Sequence, residues 1–202
     1  MDRRTSLQWM LAASATVPAI DASAKPVSKP TRIGSDPDMV RKYKSGELWP
    51  LSFTERERRC AIALCALIIP ADEGSPSAAD LHVDLFIDEW ISAPYEAQKK
   101  DRATILKGLA WLDAESEKRF SKVFAAASVE QQSQIADAIC SPVPKDSPLA
   151  DSVKFFARFR DLTAGGFYTT PKGMKDVGFV GNTPSQTFDG PPEAVLKLVG
   201  VS

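Results

Sequence analysis

One histidine, His82, and three cysteines, Cys60, Cys65 and Cys140, are the side chains of this 202-residue chain best suited to covalent or metal chemistry. Their scarcity is the first constraint. Three-histidine and His-pair metal sites cannot be built from one imidazole, and a Ser-His-Asp or Cys-His nucleophile would have to use His82. Around it in sequence stand Asp72, Glu73, Asp84, Asp88 and Glu89. Carboxylates of this kind hold hard cations through oxygen. Here Asp72 and Glu73 lie in a turn-rich run and read as turn residues, and Asp88 and Glu89 read as a polar helix face. Asp113, Glu115 and Glu117 with Lys118 and Arg119 likewise read as a solvated face. The chain lacks Cys-x-x-Cys-His, Gly-x-Gly-x-x-Gly and Gly-x-x-x-x-Gly-Lys-[Ser/Thr]. It is therefore expected to hold no haem, dinucleotide or other cofactor of its own, and to offer no catalytic or metal residues.

The cysteines pose a separate question. Cys60 and Cys65 are five apart on one expected helix, about 140° around its axis and about 7.5 Å along it. They cannot bridge to each other. Any disulfide must join Cys140 to Cys60 or Cys65; the alternative is three free, buried thiols.

The composition is 44% hydrophobic and 25% charged, with 25 basic and 26 acidic residues for a net charge of −1. That is a globular balance, and it presents no basic excess for nucleic acid. The apolar run near the start is about a dozen residues, short of the roughly 20 that span a bilayer.

The N-terminus carries an address. Arg3-Arg4 precedes a weakly apolar stretch from Trp9 to Ile20, and Ala22-Ser23-Ala24 follows at signal-peptidase spacing. Residues 1–24 thus read as a Tat export signal, recognised by the Tat translocon and delivering a periplasmic protein. The duller reading is a short amphipathic helix with incidental arginines. Residues 25–50, rich in proline and scattered charge, read as an extended arm whose Trp49 could dock.

Residues 51–165 read as helical. Two overlapping capping boxes, Ser52–Glu55 and Thr54–Glu57, precede Ala61, Leu64, Cys65 and Ile68 at helical spacing. Val83, Phe86, Ile87, Trp90 and Ile91 mark a second helix, and Ile105, Leu109 and Leu112 a third, from about Gln98 to Phe120. Ser128–Gln131 opens a fourth, with Ile135 and Ile139 inward. Val153, Phe156, Phe159 and Leu162 define a fifth, expected to stop at Gly165-Gly166. The expected fold is an all-α orthogonal bundle of about five helices. Residues 166–202 mix aromatics, glycines and prolines without a period, and read as a long irregular C-terminal arm.

Several stretches together carry a resemblance. They are Ile68-Ile69-Pro70-Ala71-Asp72-Glu73 with Ser75-Pro76-Ser77-Ala78, Phe86-Ile87-Asp88-Glu89-Trp90-Ile91, and Gly108-Leu109-Ala110-Trp111-Leu112-Asp113. Phe155-Phe156 through Arg160-Asp161-Leu162-Thr163 into Gly166-Phe167-Tyr168-Thr169-Thr170 completes the set. In this order, from Thr54 to Asn182, the chain resembles the gluconate 2-dehydrogenase subunit 3 family. The resemblance implies a non-catalytic, Tat-signalled small subunit. Its partner would be a large FAD-binding subunit of the glucose–methanol–choline type, oxidising a sugar or sugar acid. A cytochrome c subunit, bringing haem c, often completes such complexes.

Apolar side chains on irregular backbone need cover from the domain or from another chain. The stretch Phe167–Asn182 is therefore expected to bind the large subunit, together with the arm around Trp49. Phe167, Tyr168 and Phe179 are the expected anchors, Lys172 and Lys175 the rim, and Thr169 and Met174 lie between them. Three readings compete with this one: a tail folded over its own domain, an assembly chaperone that releases its client, and a small independent enzyme using His82.

Overall fold

Residues 41–179, 181, 187 and 190–201 are described by the structure, a computed structural model of the chain. The expected leader with Arg3 and Arg4, and the arm up to residue 40, lie outside the described residues. Contacts divide the chain into Met1–Lys42 and Tyr43–Ser202, and every element below belongs to the second unit.

Seven α-helices and one 3-10 turn, with no strand among the described residues, make the fold all-α. Helix α1 (Glu55–Ile68) begins where expected: Thr54 accepts from the Glu57 amide while the Glu57 carboxylate accepts from the Thr54 amide. Of the two overlapping boxes, the second is the one formed. Cys60, Ala61, Leu64 and Cys65 are buried on its inner face. Helix α2 (Val83–Ser92) starts after His82, which takes a left-handed conformation at φ 54°. Val83, Ile87 and Ile91 face the core, whereas Phe86, expected inward, is 39% exposed. Helix α3 (Glu96–Phe120) buries Ile105, Leu109 and Leu112. The 3-10 turn Phe124–Ala126 leads into α4 (Val129–Asp137), opened by a capping box between Ser128 and Gln131. Ile135 is buried on α4, and Ile139 just beyond its end. No described helix is long and apolar enough to cross a membrane.

Helix α5 (Ala150–Tyr168) corrects the expected stop. It runs through Gly165-Gly166 because its apolar face continues past them: Phe155, Phe159, Thr163 and Phe167 are all buried. Each glycine costs a helix about 1 kcal/mol, while burying a phenylalanine returns about 2–3 kcal/mol. Gly166 also lets α5 lie against Val83 and Phe86 of α2, where a Cβ would sit 2.7 Å from the Phe86 ring. Two short helices follow, α6 (Pro171–Asp176) and α7 (Glu193–Val199). The C-terminal stretch is thus partly helical and not a wholly irregular arm.

Two acids read as solvated are in fact interior fasteners. Asp88 accepts from the Ser52 and Phe53 amides at 2.8 and 3.0 Å and pairs with Arg58 at 2.8 Å. Asp113 accepts from the Phe124 amide at 3.0 Å and from Arg56 at 2.6 Å. Both tie chain segments outside the helices to the bundle.

Candidate partner-binding surface

The surface is built from the end of α5 upward. Thr169 donates through its hydroxyl to the Gly165 and Gly166 carbonyls, and Thr170 to that of Phe167. These bonds satisfy the last carbonyls of α5. The Thr170 hydroxyl then accepts from the Gly173 amide and caps α6, with Pro171 in its first turn. Position 173 must be glycine, because a Cβ there would lie 2.2 Å from the Phe167 carbonyl oxygen. The result is a tight corner that pins α6 against the root of α5.

Around α6 the expected anchors separate. Phe167 is fully buried, with its ring edge-on to Tyr168 at 5.0 Å, so it is a core residue and not an interface anchor. Tyr168 is 40% exposed and Phe179 is 57% exposed. Thr169, Lys172 and Lys175 are exposed and Met174 is half-buried. Pro171, Met174, Lys175, Gly178, Phe179 and Gly181 line an open cup of about 460 Å³. On the other side of α6, a notch of about 220 Å³ is lined by Gly74, Ser75, Pro76, Lys172, Lys175 and Asp176. Lys175 belongs to both. The 74–76 loop was not anticipated here; Asp72 forms it by accepting from the Gly74 and Ser75 amides, a turn signature that says nothing about its neighbours.

Trp49 lines neither hollow. It is half-buried, donates from its indole nitrogen to the Glu89 carbonyl at 3.0 Å and meets Tyr95 edge-on at 6.4 Å. The arm is further held by Glu89 accepting from the Gly46 amide.

The remaining reactive groups lie apart. His82 is exposed, and its imidazole makes no hydrogen bond among the described residues. No group of three or more metal-type side chains forms among them. The three cysteines are free. Cys60 points its sulfur at the Leu109 carbonyl and Cys65 at Thr163, both in the core. Cys140 is exposed, its sulfur on the Asp137 carbonyl, so neither a bridge to Cys60 or Cys65 nor a set of three buried thiols is formed. Burial pushes the Cys65 thiol up to about 12 and the Cys60 thiol further in the same direction, which keeps both protonated. Burial likewise raises Asp84, against the lowering pull of Arg58, and one Asp84 oxygen is buried without a hydrogen-bond partner.

Compared with protein families, residues 55–190 match the one described as gluconate 2-dehydrogenase subunit 3. The chain belongs to the gluconate 2-dehydrogenase subunit 3 family. Neither the curated proteins nor the solved structures contain a match. As a subunit by family, the chain is an accessory part of a multi-subunit dehydrogenase. The matched span of this subunit 3 chain runs from α1 through α6 and includes every residue lining the cup and the notch. Helix α7 lies beyond it.

Proposed function

We propose that this chain is the non-catalytic small subunit of a periplasmic, flavin-dependent sugar or sugar-acid dehydrogenase. It holds a large FAD-binding subunit of the glucose–methanol–choline type through the surface around α6. Its Arg3-Arg4 leader takes the folded pair through the Tat translocon, and a cytochrome c subunit accepts the electrons. The observation that carries the reading is the exposure of apolar side chains at Val177 and Phe179, inside the span shared with the family. An apolar surface kept within a subunit's family domain is suited to a protein partner.

Co-purification tests it. The tagged full chain, expressed in its native host and recovered from the periplasm, is expected to bring down an equal amount of a yellow flavoprotein. Alone it is expected to be colourless and inert toward sugars with artificial electron acceptors. Replacing Arg3 and Arg4 by lysine is expected to leave both proteins in the cytoplasm. Flavin bound to the isolated chain, or turnover lost in His82→Ala, would overturn the assignment. A flavoprotein that reaches the periplasm without this chain attached would make it an assembly chaperone instead.

A further inference from the structure

A hollow of about 360 Å³ lies where α3 meets the start of α5, lined by Gly108 and Trp111 of the one and Pro148 and Ser152 of the other. Small-molecule sites run from about 300 to 1,000 Å³. Its floor is preformed: a Cβ on Gly108 would sit 1.9 Å from the Phe155 ring, so this glycine lets α5 close onto α3. The start of α5 has no side-chain cap. Ala150 donates its amide to the Ser147 carbonyl and Val153 to that of Leu149, but the Asp151 and Ser152 amides between them have no acceptor among the described residues. First-turn amides point out of the helix end and attract negative charge. Ser152 adds an independent observation. It is only 5% exposed, and its hydroxyl makes no hydrogen bond among the described residues. Unlike the Ser75 and Ser116 hydroxyls it is not sealed, and it can be reached from the hollow it lines. The half-buried Trp111 keeps its indole nitrogen without a partner among the same residues. Lys107 closes on Asp151 and through that hydrogen bond holds its carboxyl below the usual value. Lys154 forms no ion pair among the described residues, which leaves the walls one excess positive charge. Flanking charges do not cancel it: Lys145 adjoins Asp146, Arg119 closes on Glu115, and Arg158 on Asp101.

We infer that this hollow binds a sugar acid. The carboxylate takes the Ser152 hydroxyl and the open amides of α5, beside the Lys154 ammonium. The carbon chain lies against Trp111, and the hydroxyls meet the Lys107–Asp151 pair. An inorganic anion would leave Trp111 uncovered, and a neutral sugar would leave the amides and Lys154 without a counter-charge. The carboxylate is argued from the hollow alone; its hydroxylated, sugar-sized body rests on the dehydrogenase reading proposed above.

Titration calorimetry of the full chain with gluconate, glucose and inorganic phosphate tests it. Gluconate is expected to saturate one site per chain and to quench tryptophan fluorescence, with the quench absent in Trp111→Phe. Glucose and phosphate are expected to bind about tenfold more weakly or not at all, and Ser152→Ala to weaken gluconate about tenfold, the scale of one hydrogen bond to a charged group. Lys154→Glu is expected to weaken it more than Lys154→Gln. Lys154 is exposed, so its variants should keep helical circular dichroism and decide the matter even if Ser152→Ala unfolds. Phosphate binding as tightly as gluconate would reduce the hollow to an anion site, and glucose doing so would reduce it to an aromatic platform; either result overturns the sugar acid. So does the absence of gluconate binding, or binding indifferent to both Ser152 and Lys154. Loss of flavoprotein capture in Lys154→Glu, with no gluconate bound by wild type, would make the hollow a protein contact instead. Flavoprotein recovery reads the accessory role separately. Capture without gluconate binding leaves that role standing and removes this site, whereas gluconate binding without capture keeps the site and removes the role.

Discussion

Between Phe53 and Phe167 the chain covers its large apolar side chains, and from Tyr168 onward it displays them. Only Ile62, Phe86 and Val129 among such described residues are exposed in the first region. The much shorter second region exposes Tyr168, Val177, Phe179 and four residues at or after Val195, with Leu198 at 85%. The first region also ties its buried acids to amides and guanidinium groups, whereas the second leaves Lys172 and Lys175 without ion pairs among the described residues. A helix keeps an apolar face only where something covers it. In the bundle the cover comes from the chain's own helices, and on the proposed reading the surface beyond α5 is covered by the partner subunit.

The sharpest way to break this contrast is to truncate one aromatic on each side of the boundary. Phe167→Ala is expected to cost about 4 kcal/mol, since it empties a fully enclosed site at the α5–α6 corner. Phe179→Ala should stay within about 0.5 kcal/mol in the isolated chain, yet weaken flavoprotein capture. Urea denaturation of both variants reads the first half and pull-down the second. Equal stability losses would erase the boundary drawn at Tyr168.

Next in size is the fastening of the chain's approach to α1. Asp88→Ala removes an acceptor shared by the Ser52 and Phe53 amides and leaves Arg58 without its closest partner. The expected loss is about 3 kcal/mol, the scale seen when one member of a buried ion pair is deleted. A Lys175→Ala control on the displayed surface should leave the denaturation midpoint unmoved.

Much of the bundle was legible in sequence because its helices are amphipathic and capped by local chemistry. Thr54–Glu57 and Ser128–Gln131 form the boxes their spacing implies, and Leu64, Ile87, Leu109 and Ile135 face inward on the expected faces. What could not be read were outcomes decided by contacts distant in sequence. Gly165-Gly166 looks like a helix end, but the packing of Gly166 on Val83 and Phe86 and the burial of Phe167 carry α5 through it. Asp88 and Asp113 look like solvent-facing acids, because the amides that claim them lie 35 and 11 residues away. Of the expected interface, Met174, Lys175 and Phe179 do share one hollow, while Phe167 belongs to the core and Trp49 to the packing of the arm on Glu89 and Tyr95. The contribution of the 74–76 loop to the notch depends on a meeting no local pattern encodes.

The adjacent glycines offer a finer test of where cover begins. Gly165 is open, with nothing within 4 Å of an added Cβ, and it is helical. Gly165→Ala is therefore expected to stabilise the chain by about 0.5–1 kcal/mol through helix propensity alone. Gly166→Ala places its methyl 2.7 and 2.8 Å from Phe86 and Val83 and should cost about 1–2 kcal/mol as α5 is pushed off α2. Opposite signs at neighbouring positions, measured as shifts in denaturation midpoint, would locate the α2 contact to a single residue. The same sign at both would mean that α5 does not seat on α2 there.

The smallest expected effect concerns the ion pair beside Trp90. Arg158 grips Asp101 through two nitrogens, at 2.9 and 2.6 Å, while the Trp90 indole donates to the same carboxylate at 2.8 Å. Burial pushes the Asp101 carboxyl up, but the Arg158 and Trp90 hydrogen bonds outweigh it and hold the carboxyl below its usual value of 3.8. A depressed native pKa means that the unfolded chain takes up the proton more readily. The stabilisation is thus complete above the unfolded value, near pH 4, and is lost as pH falls through the lower native value. Arg158 is 35% exposed, so solvent screening limits the pair to about 0.5 kcal/mol. Asp101→Asn should lower stability by that amount at pH 7 and by less at pH 3, where the wild-type carboxylate has begun to protonate. Urea titrations of wild type and variant at both pH values compare the two losses. A difference that grows toward pH 3 would show that Asp101 is held neutral in the fold, and the grip of Arg158 would then contribute nothing to joining α3 and α5.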